Sequence, residues 1–414
     1  MKHYLILLML LPIMLAAQVY TLDQLIEHGL EHSYQIQKEE LSNDTGHSAY
    51  RSAKWNLMPE ANLSAEATQD LDPISPQSGL TSSAGFEIRK TISLNDPAYF
   101  NYRTSKLDTK SADLKLQKGY STYAYNVFQA YIKILSATKK RSSLEENLAI
   151  QNRVWEQSKV MLRLGKTVPF EVKQNEIAVM NSQILLIQLE NTIENARTQL
   201  FALVQMQDQG YPLADLEVDS AKDVPAYSTE NMQELKILER ELERNDILLT
   251  QNFLEKFPRI SLGYGLSRRV SGQDFDFDQY NTVHNLSLNL SYSLWNVFTN
   301  GESGLRYKIN KQMAQLNFDD KSEQSKRDYD SILRELQYLL RLDELYNERL
   351  QQVTEQIRIA EERYRLGMIQ LLELDKTRTN YIDADIEYNA NRYEIIARQE
   401  ALNNLLSAQI LGKW

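Results

Sequence analysis

A chain of 414 residues has room for two or three ordinary domains, yet its 14 Gly and 9 Pro are few, and Leu, Gln, Glu, Asn, Lys and Arg dominate. That is the composition of long helices rather than of compact globules. The formal charge of −10 disfavours a nucleic-acid partner, which would need a basic face, and the absence of cysteine excludes both a disulfide framework and an acyl-bearing N-terminal Cys.

Residues 1–17, within "MKHYLILLMLLPIMLAAQ", read as a signal peptide, with a basic start, an apolar run from Tyr4 to Ala16 and a small-residue exit at Ala16-Ala17. The run is shorter than the roughly 20 residues of a membrane-spanning helix. The mature chain is expected to begin near Gln18 and to be exported. Nowhere later do 18 consecutive apolar residues occur, so a membrane-spanning part must consist of β-strands.

The first repeat occupies 18–205. A helical segment at 21–55 precedes a β-hairpin at about 60–94, whose apolar positions are Leu63, Ala65, Ala67, Phe86, Ile88, Ile92 and Leu94 around a polar loop. A long helix at about 97–163 follows, with a seam at Val127, Ala130, Ile134, Ala137, Arg141, Leu144 and Leu148. The stretch "RLGKTVPF" (163–170) stops it: Gly165 suits the positive φ beyond a helix end, and Pro169 suits the start of the next helix. That next helix runs to about 205, and its seam is expected at Ile177, Met180, Ile184 and Ile187. A connector at 206–231 holds Gly210, Pro212 and Pro225, with a short strand at "LEV" (216–218).

The second repeat, 228–414, keeps the same order. After a helix at 228–256 comes a hairpin at about 259–295, in which Ile260, Leu262, Tyr264 and Leu266, then Leu286, Leu288, Leu290, Tyr292 and Leu294, alternate with Ser, Gly and Asn; 268–284 reads as an exposed loop. Alternation of this length fits a transmembrane barrel strand, which makes Leu262, Tyr264, Leu266, Leu286, Leu288, Leu290 and Tyr292 lipid-facing. Two hairpins cannot close a sheet, so partner copies are required. The long helix at about 298–364 has the sharpest periodicity, Ile332, Leu336, Leu339, Asp343, Tyr346, Leu350, Val353, Ile357, Ala360 and Tyr364 at alternating intervals of 4 and 3. Each long helix would measure about 100 Å, far more than a globular core needs. The turn "RLGMIQL" (365–371) and a helix to about 410 complete the half. Pro59 lies over Pro258, "KTISLND" over "LSYSLWN" and "RLGKTVPFEV" over "RLGMIQLLEL", at offsets of 199, 200 and 202.

The opening "TLDQLIEHGLEHSYQI", the strand-to-helix passage "LSYSLWNVFTNG" and the duplicated "RLG" turns, each followed by an acidic residue, Glu171 or Glu373, resemble the TolC-like outer-membrane factor family of outer membrane efflux proteins. The resemblance implies a mainly α fold with a β-barrel part. In a homotrimer, four strands per chain would complete a 12-stranded transmembrane barrel, and coiled-coil helices a trimeric α-barrel across the periplasm, with 206–231 equatorial. It also implies a passive exit duct in the outer membrane of a Gram-negative bacterium, serving efflux or type I secretion. Partners would be a periplasmic adaptor and, through it, an inner-membrane pump or ABC transporter. By position, Arg163, Leu164, Gly165, Val168 and Pro169, with Arg365, Leu366 and Gly367, become adaptor-facing turns. Tyr364 and Glu373 fall on gate positions, Glu373 contributing a negative ring, whereas Ile369 and Lys376 depart from a gating Arg and a second Asp.

Two other readings compete. "HGLEH" (28–32) matches a zinc-peptidase pattern but has no identifiable third ligand, so solvated positions on an amphipathic helix explain it more simply. A soluble periplasmic coiled-coil adaptor or structural rod would explain the heptads and tips but leaves the Leu-rich hairpins without purpose. No GxxxxGK[ST] loop is present, so neither a nucleotide nor another cofactor is expected. Drug, metal and protein cargo are all compatible with this architecture.

Overall fold

The computed structural model describes residues 19–69, 80–216, 225–271 and 281–408; the signal peptide lies outside them. Contacts divide the chain into a sheet-bearing unit, Lys38–Lys118 with Thr229–Gln324, and a helical unit comprising the rest. The elements in chain order are α1 (Leu22–His32), α2 (Tyr34–Trp55), β1 (Glu60–Gln69), β2 (Leu80–Ser93), α3 (Pro97–Arg163), α4 (Pro169–Leu203), α5 (Gln233–Leu254), β3 (Arg259–Ser271), β4 (Asn281–Ser291), α6 (Leu294–Arg365) and α7 (Leu371–Leu405).

Two local expectations are corrected. The segment 21–55 is two helices, broken at Ser33, which takes an extended backbone (φ −67°, ψ 126°) while its hydroxyl accepts the Gln35 N–H as a cap. Both ends of the stretch 268–284 are strand, because β3 keeps its ladder with β2 as far as Thr81↔Ser271 and β4 begins at Asn281; polar side chains do not interrupt a backbone ladder. Only 272–280 of that stretch lie outside the described residues. In the connector, an isolated bridge joins Tyr20 and Leu213: Tyr20 N–H donates to Pro212 O (3.0 Å) and Ala214 N–H to Tyr20 O (2.9 Å). Leu216 is non-strand, and Glu217 and Val218 lie outside the described residues.

The sheet is antiparallel throughout, in the order β1-β2-β3-β4. In the helical unit, α1 seats Leu22, Leu25 and Ile26 against Val127, Phe128 and Tyr131 of α3 and Ala196 and Leu200 of α4. Gly29 makes the approach possible, since a Cβ there would lie 2.0 Å from the Tyr123 hydroxyl. That hydroxyl donates to Leu203 O at the end of α4 (2.9 Å), and Tyr131 donates to Ala214 O of the connector (2.5 Å). Burial raises the Tyr123 pKa to about 12 and pushes that of Tyr131 up as well.

The helices of this unit form a layer. α3 touches α4 through the core just described and α7 through Ser143 to Asp385 (3.1 Å); α7 touches α6 through Asn391 Nδ2 to Leu339 O (3.2 Å). The order is therefore α4-α3-α7-α6. The polar seam position Asp343 accepts a second bond from Asn391 at 3.2 Å, so its half-buried carboxylate has a partner on α7.

Candidate functional site

The register sorts the sheet into two faces. Ala61, Ile88, Tyr264 and Leu286 form one cross-strand row, Leu63, Phe86, Leu266 and His284 the next, and Ile92, Ile260 and Leu290 a third on the same face. These side chains are largely open: Leu286, Leu288 and Leu290 are 78, 74 and 67% exposed, Leu262 43% and Tyr264 39%, whereas Leu266 is half-buried. The opposite face carries Asn62, Glu87, Gly265 and Asn285 in one row and Glu60, Arg89, Gly263 and Ser287 in another. Four apolar positions on β3, from Ile260 to Leu266, span roughly 20 Å along the strand. Tyr292 needs a correction: it lies one residue past β4, whose last pair is Arg259↔Ser291. Pro258 precedes β3 and has no N–H with which to extend the ladder. Tyr292 nevertheless stays half exposed, its sequence neighbours Leu294, Trp295 and Phe298 are exposed at 70, 74 and 75%, and the Trp295 and Phe298 rings pair at 6.4 Å at the strand-to-helix passage. Lys90, on the apolar face, turns its ammonium to Leu57 O (2.7 Å) and towards Asp96 (3.9 Å).

The helical layer has an open apolar stripe of its own. Ile177, Met180, Ile184 and Ile187 do not form the seam of α4 with its own chain; they are 53, 46, 53 and 64% exposed. The covered stripe runs instead through Val172, Asn175, Val179, Ser182, Leu186, Leu189, Ile193, Ala196 and Leu200, at strict intervals of 3 and 4. Ser182 and Ile184 are two residues apart and so point to nearly opposite sides of the helix. α4 thus shows a second, uncovered heptad stripe on the side away from α3. α6, at the other edge, exposes Tyr338, Leu345 and Ile359 at 60, 62 and 44%, all on one heptad position.

At the far end of the layer, the two "RLG" turns have the same backbone. Gly165 (φ 68°) and Gly367 (φ 72°) follow the last helical turns, Lys166 N–H donates to Met161 O (2.9 Å) and Met368 N–H to Arg363 O (2.8 Å). Gly165 N–H to Leu162 O and Gly367 N–H to Tyr364 O complete two Schellman motifs. α4 and α7 close in the same way on Gln205 (φ 55°) and Ser407 (φ 53°), where no glycine marks the turn. Pro169 and Leu371 then open α4 and α7. Arg163, Leu164, Val168, Arg365 and Leu366 are exposed, and Thr167 donates to Glu171. The turns meet at a cavity of about 330 Å³ lined by Met161, Lys166 and Thr167 from one side and Gln370 and Leu372 from the other.

Of the residues assigned to a gate, Tyr364, Glu373 and Lys376 are exposed and Ile369 is half-buried. Asp375, not among those residues, is fully buried between them, 3.3 Å from the Arg153 guanidinium of α3 and 3.8 Å from Arg378. Its signal was weak: an Asp on the buried stripe that continues through Ile382 and Asp385, with a partner 222 residues away. His28 and His32 stack at 4.2 Å, and His32 Nδ1 lies 2.9 Å from His28 O. Burial, then the neighbouring His32, lowers the His28 pKa. Among the described residues no His, Cys, Asp or Glu group assembles three metal ligands, and no helix is long and apolar enough to cross a membrane.

A family model described as "Outer membrane efflux protein" matches residues 25–204 and 237–408, one repeat each. No curated protein matches by sequence. Among solved structures, the Campylobacter jejuni CmeC outer membrane channel is similar with a TM-score of 0.79 at 16% identity, over 93% of this chain and 85% of that one. The outer membrane protein VceC of Vibrio cholerae gives 0.79 at 14% (94% and 96% covered), and the open state of the Neisseria gonorrhoeae MtrE outer membrane channel gives 0.77 at 16% (94% and 89%). The fold is that of these channels.

Proposed function

Because this chain belongs to the outer membrane efflux protein family, we propose that it is the outer-membrane exit duct of a multi-component efflux system, closed as a homotrimer and passive in transport. The observation that carries this reading is the sheet: four strands, one face of open leucines, the other of Ser, Asn, Gly and charged residues. Such a sheet is stable in a bilayer only when both edges are paired, and three copies supply them. The open stripes on α4 and α6 support the same closure of the helices. Channels of this family are trimeric and work with adaptors and inner-membrane pumps; the paired tips, with Arg163, Leu164, Gly165, Val168 and Pro169 beside Arg365, Leu366 and Gly367, are the adaptor-facing end. Tyr364 and Glu373, with Ile369 and Lys376, line the gate that the tips control. A tripartite efflux assembly accounts for the chain without any energy-supplying site of its own.

The test is outer-membrane fractionation of the expressed chain, light scattering of the detergent-solubilised protein, and conductance in a planar bilayer. A detergent-requiring trimer whose low conductance rises when the tip residues are substituted is the expected result. A protein that stays soluble without detergent as a monomer would overturn the duct and leave the periplasmic rod.

A further inference from the structure

In the sheet-bearing unit, the first turns of α3 and the facing side of α5 enclose a groove of about 510 Å³ lined by Tyr99, Tyr102, Arg103, Lys106, Lys110 and Ile247, among others. The three basic residues recur at intervals of 3 and 4, so they share a helix face, and all are exposed. Two carboxylates also line the groove and both are engaged, Glu243 with Arg240 and Asp246 with Lys311 at 2.5 Å, as is Asp108 on α3 with Arg244 at 3.2 Å. No ion pair joins Arg103, Lys106 or Lys110 to a carboxylate among the described residues, in a chain whose net charge is −10.

The groove begins where the apolar sheet ends. Pro97 opens α3 four residues after β2 closes, and Arg103 and Lys106 follow about 9 and 14 Å along the helix. A bilayer's polar layer extends roughly 5–8 Å beyond the hydrocarbon on each side. Side chains on a helix tilt towards its N-terminus, which for α3 is the membrane end, so these two long cations reach back into that layer. Tyr99, 48% exposed, carries Arg103 5.9 Å from its ring, and Tyr102 stacks on Tyr50 at 5.5 Å, the amphipathic aromatics of a membrane interface.

We propose that this groove binds the headgroup of an anionic glycerophospholipid from the leaflet on the helical side of the outer membrane. Arg103 and Lys106 hold the phosphate, the tyrosines flank the glycerol and upper acyl chain, and Lys110, one turn further from the bilayer, adds only to the field. The proposal rests on the outer-membrane placement, and its test is independent of transport.

Delipidated full-length protein in detergent is titrated with phosphatidylglycerol or phosphatidylethanolamine, and bound lipid is counted by native mass spectrometry. Phosphatidylglycerol is expected to bind at least tenfold tighter. Arg103→Gln with Lys106→Gln should abolish that preference by weakening phosphatidylglycerol binding about 25-fold, at roughly fivefold per cation, with Lys110→Gln losing less. Arg103→Lys with Lys106→Arg should retain it, and Lys139→Gln with Lys140→Gln should change nothing. Unchanged helicity and melting of the Gln pair separate lipid loss from misfolding. Equal binding of the two lipids, or undiminished preference in the Gln pair, overturns the site. Displacement of the lipid by millimolar glycerol phosphate would identify a soluble phosphate as the occupant and overturn the lipid assignment.

Discussion

Ile184→Glu tests whether the uncovered stripe of α4 is a seam between copies. Ile184 is 53% exposed in the single chain, so covering the remainder contributes about half of the roughly 1.5–3 kcal/mol of a full isoleucine burial, or ~1 kcal/mol. A glutamate there adds an unpaired carboxylate inside an apolar seam, which costs a further several kcal/mol. A ring of three repeats the penalty three times, on the order of 10 kcal/mol for the assembly. The folded single chain meets none of it, because the side chain stays in water. Light scattering in detergent with far-ultraviolet circular dichroism separates the two levels: the variant should lose the trimer and keep its helicity. Gln174→Glu, exposed on another side of α4, should leave the trimer intact, whereas Val179→Glu, at 4% exposure on the covered stripe, should disturb the helical layer itself. An Ile184→Glu protein that dissociates at the wild-type temperature would refute the assignment of this stripe to a copy-to-copy contact.

Four further outcomes are expected. Gly165→Ala and Gly367→Ala meet no atom within 4 Å, so their cost is backbone strain alone, about 1–2 kcal/mol each by thermal unfolding, and binding to the cognate adaptor should weaken as the tips distort. The converse change at the unmarked turns, Gln205→Gly, relieves a positive φ of 55° and should raise the melting temperature. Asp375→Ala leaves Arg153 without its carboxylate, while Arg378 keeps Glu361 at 2.9 Å, and should destabilise; a double-mutant cycle with Arg153→Ala should show coupling, and strict additivity would show that the contact contributes nothing. Tyr123 is held protonated by burial, with its pKa at about 12 against 10.0 unperturbed. Its contribution is therefore complete below pH 10.0 and lost as pH rises through about 12. Tyr123→Phe should remove that alkaline step from the unfolding profile, at the expense of its bond to Leu203 O.

What the sequence made legible follows from which interactions are local. Gly165 and Gly367 announce their turns because positive φ is costly for any residue with a Cβ, and the alternation of β3 and β4 announces a two-faced sheet. Gln205 and Ser407 make the same turn silently, since the hydrogen bonds of the Schellman motif involve only backbone atoms. The covered side of α4 is hidden from the sequence for a related reason. Apolarity nominated Ile177, Met180, Ile184 and Ile187, yet the chain covers a stripe containing Asn175 and Ser182, because α3 and α1 decide which side is covered. Asp375 escaped notice because its burial depends on Arg153, far away in sequence.

The uncovered surfaces obey one arithmetic. Within the described residues the sheet ends in β1 and β4, and the helical layer ends in α4 and α6. Each array offers four elements and two unlike edges, so joining copies requires β4 beside the next β1 and α4 beside the next α6. Such head-to-tail contacts either close into a ring or grow without limit. A sheet and a helical layer carried by the same chain must close at the same copy number, which makes register in one depend on register in the other. A substitution that opens the α4 seam should for that reason also weaken strand pairing between copies. Ile184→Glu protein in detergent should then show faster hydrogen exchange at the backbone amides of β1 and β4, the edge strands, while β2 and β3, paired within the chain on both sides, keep their protection.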